Sequence, residues 1–478
     1  MAQVYKTPGV YIEEIPKLPA SISPVETAIP AFIGYTGLHA SGEPPKIARI
    51  TSMMEYEQNF GRAQTEDNII VDAASISDSD NKVVSQTFKA ALNSDDRSKH
   101  IMYYALQMFF ANGGGPCYIV SIGEYKTLSS ALVEADFKAG LDAVAKKDEP
   151  TLIVFPEAQF LDIDKSILLY NDALTQCELL KDRFVIMDVN GFESISTTKS
   201  KVQDIIDNFR SKGVGDNSLK YGAAYAPNLE TSIEYQVDDG KINVSFYNIG
   251  DDANAQNKVT KTLKDLKIYN SLIYESAKSA IRALPCILPP SSTIAGIYAA
   301  VDAQRGVWKA PANVSLNAVI KPTIEISNEE QIKINDDATT GKSVNAIRAF
   351  TGKGTLVWGA RTLAGNDNEW RYVNVRRLFT FIEESTQKAT ARFVFEPNDA
   401  NTWVRVQAMC ENFLTVLWRQ GALQGIKPEH AFYVSVGLGK TMTALDILEG
   451  RMIVEIGLAA VRPAEFIILR FSHKLAQS

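Results

Sequence analysis

The feature that most constrains the fold of this chain is a series of short apolar segments that alternate with segments of helical periodicity. The apolar segments are residues 117–122, 152–155, 184–187 and, as a fourth candidate, 221–225. Residues 100–112 and 167–180 instead carry apolar side chains at helical spacing. Strands that are apolar on both faces and joined by helices are typical of parallel βαβ units, because helices cover both faces of the sheet. The sequence therefore predicts an α/β fold with a parallel sheet.

The length of 478 residues exceeds what one hydrophobic core organises, so we expect more than one domain. A polar stretch at residues 327–343 marks the boundary between them. The predicted division is an α/β domain over residues 23–343 and a mixed α+β domain over residues 344–460. Terminal arms are predicted at residues 1–22 and 461–478.

Within the α/β domain, residues 228–268 interrupt the alternation of strands and helices. The turn residues 238–241 lie between the β-rich segments 235–237 and 242–246, which is the pattern of a β-hairpin. We interpret residues 228–268 as a β insertion, and the sequence assigns no role to it or to the polar stretch 327–343.

The second domain is predicted to contain two helices, at residues 375–392 and 401–420. Asn398 or Asp399 is placed to cap the start of the second helix, and Gly421 to end it. The apolar stripe of this helix is formed by Trp403, Val406, Cys410, Phe413, Leu414 and Leu417.

Both ends of the chain have the composition of β-strands but lack nearby segments with which to pair. Residues 4–7 and 10–15 flank Pro8-Gly9, which suits a type II turn. Prolines then keep residues 16–25 extended. At the other end, residues 464–471 follow Arg462-Pro463 and are apolar on both faces, so they require partners on both sides.

Composition excludes several classes of function. The net charge of -7, from 49 basic and 56 acidic residues, provides no basic surface for nucleic acid. The apolar run 452–461 is interrupted by Glu455 and is shorter than the ~20 residues that span a bilayer, so we expect no membrane insertion. The first residues do not resemble a signal peptide, which predicts synthesis in the cytoplasm. The cysteines are scattered in apolar contexts and are predicted to be buried free thiols: Cys117, Cys177, Cys286 and Cys410.

Motifs for phosphate binding are incomplete. Residues 439–441 and 341–343 match the end of a P-loop, but Val434 and Asp336 stand where its leading glycine is needed. Residues 113–115 are glycine-rich but follow a helix and precede a strand, which is the reverse of a dinucleotide-binding turn. No cofactor is therefore expected.

Catalytic groups are equally sparse. The four histidines have no metal-ligand spacing, and no GxSxG segment occurs. Asp188 follows the 184–187 strand, where an α/β enzyme keeps a catalytic carboxylate, although a solvated strand-end residue is the simpler interpretation. The sequence predicts an enzyme-like sheet without enzyme chemistry.

Several segments resemble, in order, the tail sheath family of contractile phages and related contractile injection systems. They are residues 5–14 (YKTPGVYIEE), 104–120 (YALQMFFANGGGPCYIV), 305–313 (RGVWKAPAN), 344–348 (VNAIR), 358–363 (WGARTL), 370–377 (WRYVNVRR), 395–399 (FEPND) and 462–466 (RPAEF). The resemblance implies a structural subunit and no enzyme. Such a subunit polymerises as stacked hexameric rings around an inner tube and contracts to drive that tube through a target envelope. Its implied partners are other copies of itself, the tube protein, and baseplate and cap proteins, within a phage tail or tail-like particle that is either released or anchored to a membrane.

The resemblance also implies roles for the two arms. They would add strands to the C-terminal domain of neighbouring copies, which gives the unpaired ends partners. The residues expected in these intersubunit contacts are Val4, Tyr5, Val10, Tyr11, Ile12, Phe466, Ile467, Ile468, Leu469 and Phe471. The expected hinges are Pro16, Pro19 and Pro463.

The resemblance places the α/β domain on the outside and the C-terminal domain towards the tube. A polar contact suits release of the tube during contraction, since it separates without exposing apolar surface. On helix 375–392 the polar residues expected to face the tube are Glu383, Glu384, Gln387, Lys388 and Arg392. An ordinary solvated face is the alternative interpretation of this set.

Two other functions stay open on the sequence. One is a cytosolic α/β enzyme with a site beyond the strands that end near residues 155 and 188. The other is a sheath-like cap or baseplate-proximal paralogue that forms one ring and does not polymerise.

Overall fold

The computed structural model describes residues 21–40, 42–77, 83–92, 96–127, 130–192, 201–212, 214–248, 259–337 and 339–468. The chain divides into two compact units. The described part of the larger unit begins at Glu26, extends to Phe381 and includes residues 462–468. The described part of the smaller unit consists of residues 21–25 together with Ile382–Val461.

The described strands and helices alternate through the larger unit. Its strands are β1 Pro30–Thr36, β2 Lys46–Ile50, β3 Ile70–Ser77, β4 Val83–Ala91, β5 Cys117–Glu124, β6 Leu152–Val154, β7 Phe184–Asp188, β8 Gly222–Ala226, β9 Leu229–Thr231, β10 Asn243–Asn248, β11 Val259–Thr262, β12 Cys286–Leu288, β13 Val314–Ser315, β14 Val319–Pro322, β15 Val344–Phe350 and β16 Gly354–Val357. Its helices are α1 Met53–Phe60, α2 Met102–Ala111, α3 Glu134–Val144, α4 Ile163–Leu180, α5 Val202–Lys212, α6 Leu263–Tyr269, α7 Ser271–Arg282, α8 Ser291–Arg305 and α9 Asn328–Asn335.

The remaining elements belong wholly or partly to the smaller unit. Helix α10, Val373–Thr390, begins in the larger unit and ends in the smaller one. The others are α11 Ala400–Arg419, α12 Pro428–Ala431, β17 Phe432–Val436, α13 Ala444–Leu448 and β18 Val454–Leu458.

A nine-stranded sheet in the order β13-β16-β15-β8-β7-β6-β1-β5-β2 organises the larger unit. The pairings from β5 through β1, β6, β7 and β8 to β15 are all parallel, which confirms the predicted α/β fold. Sequence reasoning missed β1, although it is fully buried inside the sheet between β5 and β6. Its interior position depends on pairing with segments far away in the chain, which no local pattern reveals.

Both faces of this sheet are covered by helices. Phe32 of β1 meets Phe109 of α2 edge to face, with ring centroids 5.0 Å apart, on one face. The next residue, Ile33, points into the other cluster, which contains Phe137 of α3. Coverage on both sides explains why the central strands are apolar over their whole length.

The predicted hairpin at residues 235–246 is wrong. Residues 238–241 do form a turn, with Lys241 N–H donating to the Asp238 carbonyl at 2.9 Å. However, β10 pairs in parallel with β3 and antiparallel with β11, and the four strands form a sheet in the order β11-β10-β3-β4. The backbone of Gln236 instead bonds to Glu66 N–H and to the Tyr104 hydroxyl. The β insertion is thus completed by strands from residues 70–91 and is not an independent hairpin.

The predicted domain boundary after residue 343 was placed too early. Strand β15 pairs with β8 in the large sheet, and β16 pairs with β15, so residues 344–357 belong to the larger unit. The compact units divide within α10, after Phe381. The sequence signal was a polar stretch, but those residues form α9, whose start is closed by a capping box between Ser327 and Glu330.

The smaller unit confirms the prediction for its longest helix. The Asp399 side chain caps α11 by accepting from Thr402 N–H at 2.9 Å, and Gly421 follows the helix with a φ of +85°. Trp403 of the predicted stripe is half-buried, and its other members are buried: Val406, Cys410, Phe413, Leu414 and Leu417. All four cysteines of the chain are buried, as expected.

Candidate interaction surfaces

The strand ends where an α/β enzyme would bind its substrate are filled by protein. Asp188 was interpreted as a solvated strand-end residue, and this is wrong because its side chain is completely buried. Its carboxylate accepts from the backbone N–H of Ser291 at 2.8 Å and from the Ser291 hydroxyl at 2.5 Å. Asp188 therefore closes the first turn of α8 and is not presented to a substrate.

Removing this buried carboxylate has two expected effects. Asp188→Ala leaves the Ser291 N–H without an acceptor and is expected to lower the free energy of unfolding by about 1–3 kcal/mol. Asp188→Asn keeps an acceptor but cannot ionise. Burial raises the pKa of Asp188 to about 7 although the Ser291 hydrogen bonds lower it, against 3.8 for an ordinary aspartate. The folded chain therefore binds this proton more tightly than the unfolded chain does.

The contribution of Asp188 to stability consequently falls as the pH rises from about 4 to about 7, by up to about 1.4 kcal/mol per pH unit. Asp188→Asn should remove that part of the pH dependence. Urea unfolding of the soluble subunit at pH 5 and pH 7.5 measures it. Equal pH dependence in the wild type and the asparagine variant would contradict this account.

Other chemical sites are not evident in the part of the chain that the structure describes. There, no group of three or more His, Cys, Asp or Glu residues is arranged to hold a metal ion. Over the same residues, no helix combines the length and apolar character that crossing a membrane requires.

The smaller unit contains a sheet that the described chain leaves incomplete. Strands β17 and β18 pair antiparallel, from Phe432 opposite Leu458 to Val436 opposite Val454. Among the described residues no third strand joins them. A two-stranded ribbon alone is marginally stable, so this sheet needs further cover.

The burial pattern of this sheet indicates which side needs that cover. In β17, Val434 and Val436 are buried, and α11 packs against this strand. In β18 no residue is fully buried within the chain, although Val454, Ile456 and Leu458 are apolar. A further backbone partner is found just after β18, where Gln424 N–H donates to the Ala459 carbonyl at 2.7 Å. Both β17 and β18 therefore resemble members of a larger sheet.

The C-terminal segment is exposed where the structure describes it. Residues 461–468 are in no strand or helix of this chain, so the described part of the predicted strand, residues 464–468, is not paired within the isolated subunit. Phe466, Ile467 and Ile468 are 76%, 80% and 77% exposed. Three consecutive apolar side chains at this exposure mark a surface that requires a partner.

An ion pair between a buried arginine and a half-buried glutamate precedes this exposed segment, and sequence reasoning missed it. The Arg361 guanidinium donates from Nε to Glu465 Oε1 at 2.9 Å and from Nη2 to Oε2 at 2.7 Å. Asn335 Nδ2 and the Tyr372 hydroxyl each add a hydrogen bond of 3.2 Å to the same carboxylate. Burial by itself would raise the pKa of Glu465, but these donors hold it below its ordinary value. The signal in the sequence was one acidic residue within an apolar terminal segment.

The predicted N-terminal contacts and hinges lie outside the described residues. They are Val4, Tyr5, Val10, Tyr11, Ile12, Pro16 and Pro19. The same is true of Leu469 and Phe471 at the other end. Of the predicted hinges, Pro463 is described and is half-buried. The described residues 21–25 run beside α10, where Val25 N–H donates to the Ser385 hydroxyl at 3.2 Å.

The polar residues predicted to face a tube fall into two groups on α10 and the turn after it. Glu383, Gln387, Lys388 and Arg392 are exposed. Glu384 is only 5% exposed and accepts from Lys388 Nζ at 2.7 Å, so it does not belong to the exposed face. Its place in the predicted set was wrong, because residues one position apart on a helix point in different directions.

Three features together define a structural subunit that joins other subunits. They are the α/β sheet with a buried Asp188, the two-stranded β17–β18 sheet and the exposed apolar C-terminal segment. Family models agree with this class. The phage tail sheath protein central domain matches residues 167–363, and the phage tail sheath C-terminal domain matches residues 365–474.

Solved structures and a curated relative are similar to the chain. The sheath of an extracellular contractile injection system, the PVC sheath complex in its contracted state, shares 29% identity over 99% of both chains, with a TM-score of 0.63. The contracted helical sheath of the anti-feeding prophage shares 31% identity over 98% of this chain and 100% of that one, with a TM-score of 0.60. The tail sheath protein of Vibrio phage KVP40 is 22% identical over 70% of this chain, which spans only 46% of that protein.

The chain belongs to the phage tail sheath family. It is therefore a structural protein and not an enzyme. The resemblance inferred from the ordered sequence blocks is confirmed.

Proposed function

We propose that this chain is the sheath subunit of a contractile injection system, which polymerises as stacked hexameric rings around an inner tube and contracts to drive the tube into a target. The observation that carries the proposal is the unfinished β17–β18 sheet together with the exposed Phe466–Ile468 segment of the same chain. One part needs strands and the other offers an apolar segment without a partner. A second copy would supply what the described part of each copy lacks.

The physical link between copies is addition of strands to the β17–β18 sheet. Backbone hydrogen bonds to a sheet edge provide affinity, and alternate side chains on the added strand fill the uncovered face. The apolar but incompletely buried face of β18 supports this step. The N-terminal residues 4–15 supply a second added strand in this scheme, and Pro16, Pro19 and Pro463 allow each arm to turn while its strand stays paired.

The similar sheaths indicate the kind of machine. The PVC sheath of an extracellular contractile injection system and the anti-feeding prophage sheath align over nearly the whole chain at 29% and 31% identity, whereas the tail sheath protein of phage KVP40 aligns over part of it at 22%. Similar chains also come from an anti-feeding prophage baseplate. We assign this subunit to such a particle, with the tube protein, the baseplate and a terminal cap as its partners.

The assembled state tests the function. Expression of the chain with and without a tube protein from the same source, followed by electron microscopy, is expected to show helical tubes with a repeating ring structure. Single rings that never stack would favour a cap or baseplate-proximal role. A discrete soluble oligomer that forms neither rings nor tubes would contradict the proposal.

The tube contact is assigned to the exposed polar face formed by Glu383, Gln387, Lys388 and Arg392. We expect Glu383→Lys combined with Gln387→Lys to reduce the fraction of sheaths that contain a tube by about tenfold, because the added positive charges alter the electrostatic match with the tube. The sheath subunit should still fold, since both side chains are exposed.

Glu275→Lys combined with Ser279→Lys is the matched control, because it adds the same charge at the same spacing to exposed positions of α7 in the larger unit. The measurement is the tube content of purified sheaths, by microscopy and by protein stoichiometry. Normal filling of the double variant would show that this face is only solvated.

A further inference from the structure

The C-terminal segment leaves the larger unit at a fixed point, and Glu465 provides the attachment. Its carboxylate receives two hydrogen bonds from Arg361, at 2.9 and 2.7 Å, in the fork geometry that fixes both groups in one orientation. The Arg361 side chain is 6% exposed and that of Glu465 is 22% exposed. The guanidinium is therefore shielded from water, and the carboxylate is partly shielded.

The Arg361 end of the attachment is itself held by the nine-stranded sheet. Asn345 of β15 bonds the Arg361 backbone on both sides: its Oδ1 accepts from Arg361 N–H, and its Nδ2 donates to the Arg361 carbonyl, each at 2.8 Å. The remaining guanidinium nitrogen donates to the Asn335 carbonyl at the end of α9 at 3.2 Å. The polar stretch 327–343, which had no assigned role, thus contributes to this site.

Glu465 lies in the sequence between the end of the smaller unit and the start of the exposed apolar segment. The smaller unit ends at Val461, and only Arg462, Pro463 and Ala464 separate it from Glu465. Immediately after Glu465 come the exposed Phe466, Ile467 and Ile468. The ion pair therefore lies at the last fixed residue before the apolar segment begins.

We propose that Arg361 and Glu465 form an anchor that positions the C-terminal segment for addition to the β17–β18 sheet of a second copy of this chain. Asn335 and Tyr372 complete this anchor as further donors to Glu465. The inference rests on the proposed function, because it assigns positioning residues to the contact between subunits. An arm that starts from a fixed point samples fewer conformations before it binds, so a larger fraction of free subunits is competent to assemble.

Breaking the anchor is expected to change two quantities that are measured separately, the association of subunits and the position of the arm. Glu465→Ala and Arg361→Ala are expected to lower the association of subunits by about tenfold to a hundredfold, since the competent fraction falls. Arg361→Lys keeps the charge but loses the two-point contact, so its loss should be smaller. Glu149→Ala is the matched control, because it breaks the ion pair with Arg49 on the surface of the same unit.

Position of the arm is measured separately from assembly. The four native cysteines are buried, so thiol-reactive spin labels attach at Lys333→Cys on α9 and Ile468→Cys in the segment. The distance distribution between the labels in soluble subunits is expected to be narrow in the otherwise wild-type chain and broad with Glu465→Ala. Circular dichroism and thermal unfolding confirm that each variant is folded. Glu465→Gln, which keeps the shape of the side chain, serves if the alanine variant does not fold.

The outcomes separate the anchor from the function on which it rests. Broadened distances together with reduced assembly support the anchor. Unchanged distances overturn it, and so do broadened distances with normal assembly, because the segment then needs no fixed origin. If removal of residues 466–478 also leaves assembly normal, the proposed role of the C-terminal arm fails together with the anchor. If that removal prevents assembly while the anchor variants assemble normally, only the anchor fails.

Discussion

A chain that ends after Glu465 is expected to fold like the full chain but to remain a soluble subunit that forms no sheath. Phe466, Ile467 and Ile468 are between 76% and 80% exposed, so their loss removes little from the core of the subunit. When the segment is added to a neighbour's sheet, these side chains would become buried. The new strand would also form backbone hydrogen bonds to that sheet. Each net hydrogen bond contributes about 1 kcal/mol, and each Å² of buried apolar area about 25 cal/mol. Losing these contributions is therefore expected to lower the association constant of the subunits by more than about a hundredfold.

The matched control is a chain that ends after Ser472. It lacks residues 473–478 but keeps the whole apolar segment, and it should assemble normally. Sedimentation and electron microscopy report the polymer, and thermal unfolding reports the fold of the subunit. Sheaths of normal length and yield from the chain that ends at Glu465 would refute the linking role of this segment.

Deletion of residues 1–15 is expected to have an effect of similar size. The strand-like segments 4–7 and 10–15 would be lost, while the described core, which begins with the buried Ile22, is retained. Each neighbouring copy then lacks one strand of its sheet, and the lattice cannot continue. A deletion of residues 1–3 is the control, because it leaves both strand-like segments in place.

Mixing the truncated chain with full-length chain tests this deletion more sharply than loss of assembly alone. A subunit without residues 1–15 still offers its own β17–β18 sheet and its C-terminal segment, so it should join a growing sheath and then stop it. Adding it to full-length chain is expected to shorten the tubes in proportion to its share. Tubes of unchanged length would show either that residues 1–15 do not link copies or that the truncated chain is excluded from the sheath.

Much of the fold could be predicted because its causes are local. Continuous apolar segments at 117–122 and 184–187 indicated buried parallel strands, and both are strands of the large sheet. The cap at Asp399 and the stop at Gly421 were visible as single residues with known preferences. The order of the family-like blocks, such as WGARTL and RPAEF, was sufficient to recognise the family.

Two errors in the predicted fold share one cause, which is strand pairing between distant segments. Residues 242–246 carry a good hairpin signal, yet β10 pairs with β3 because the hydrophobic surface that it completes is built from residues 70–91. The boundary after residue 343 failed for the same reason, since β15 extends the large sheet beside β8. Local patterns give the type of an element, but its neighbours depend on the surfaces left open elsewhere in the chain.

The sequence by itself determined the α/β class, the absence of a complete nucleotide or metal motif, the family, and the two apolar ends that lack partners. Each of these depends on residue identity and on spacing along a few turns or strands. Only the tertiary structure decided that Asp188 closes a helix instead of meeting solvent, that Glu384 leaves the exposed face, and that Glu465 is held by Arg361. These facts require groups 4 to 104 residues apart to come within hydrogen-bond distance, because an isolated charge in a sequence does not reveal its partner.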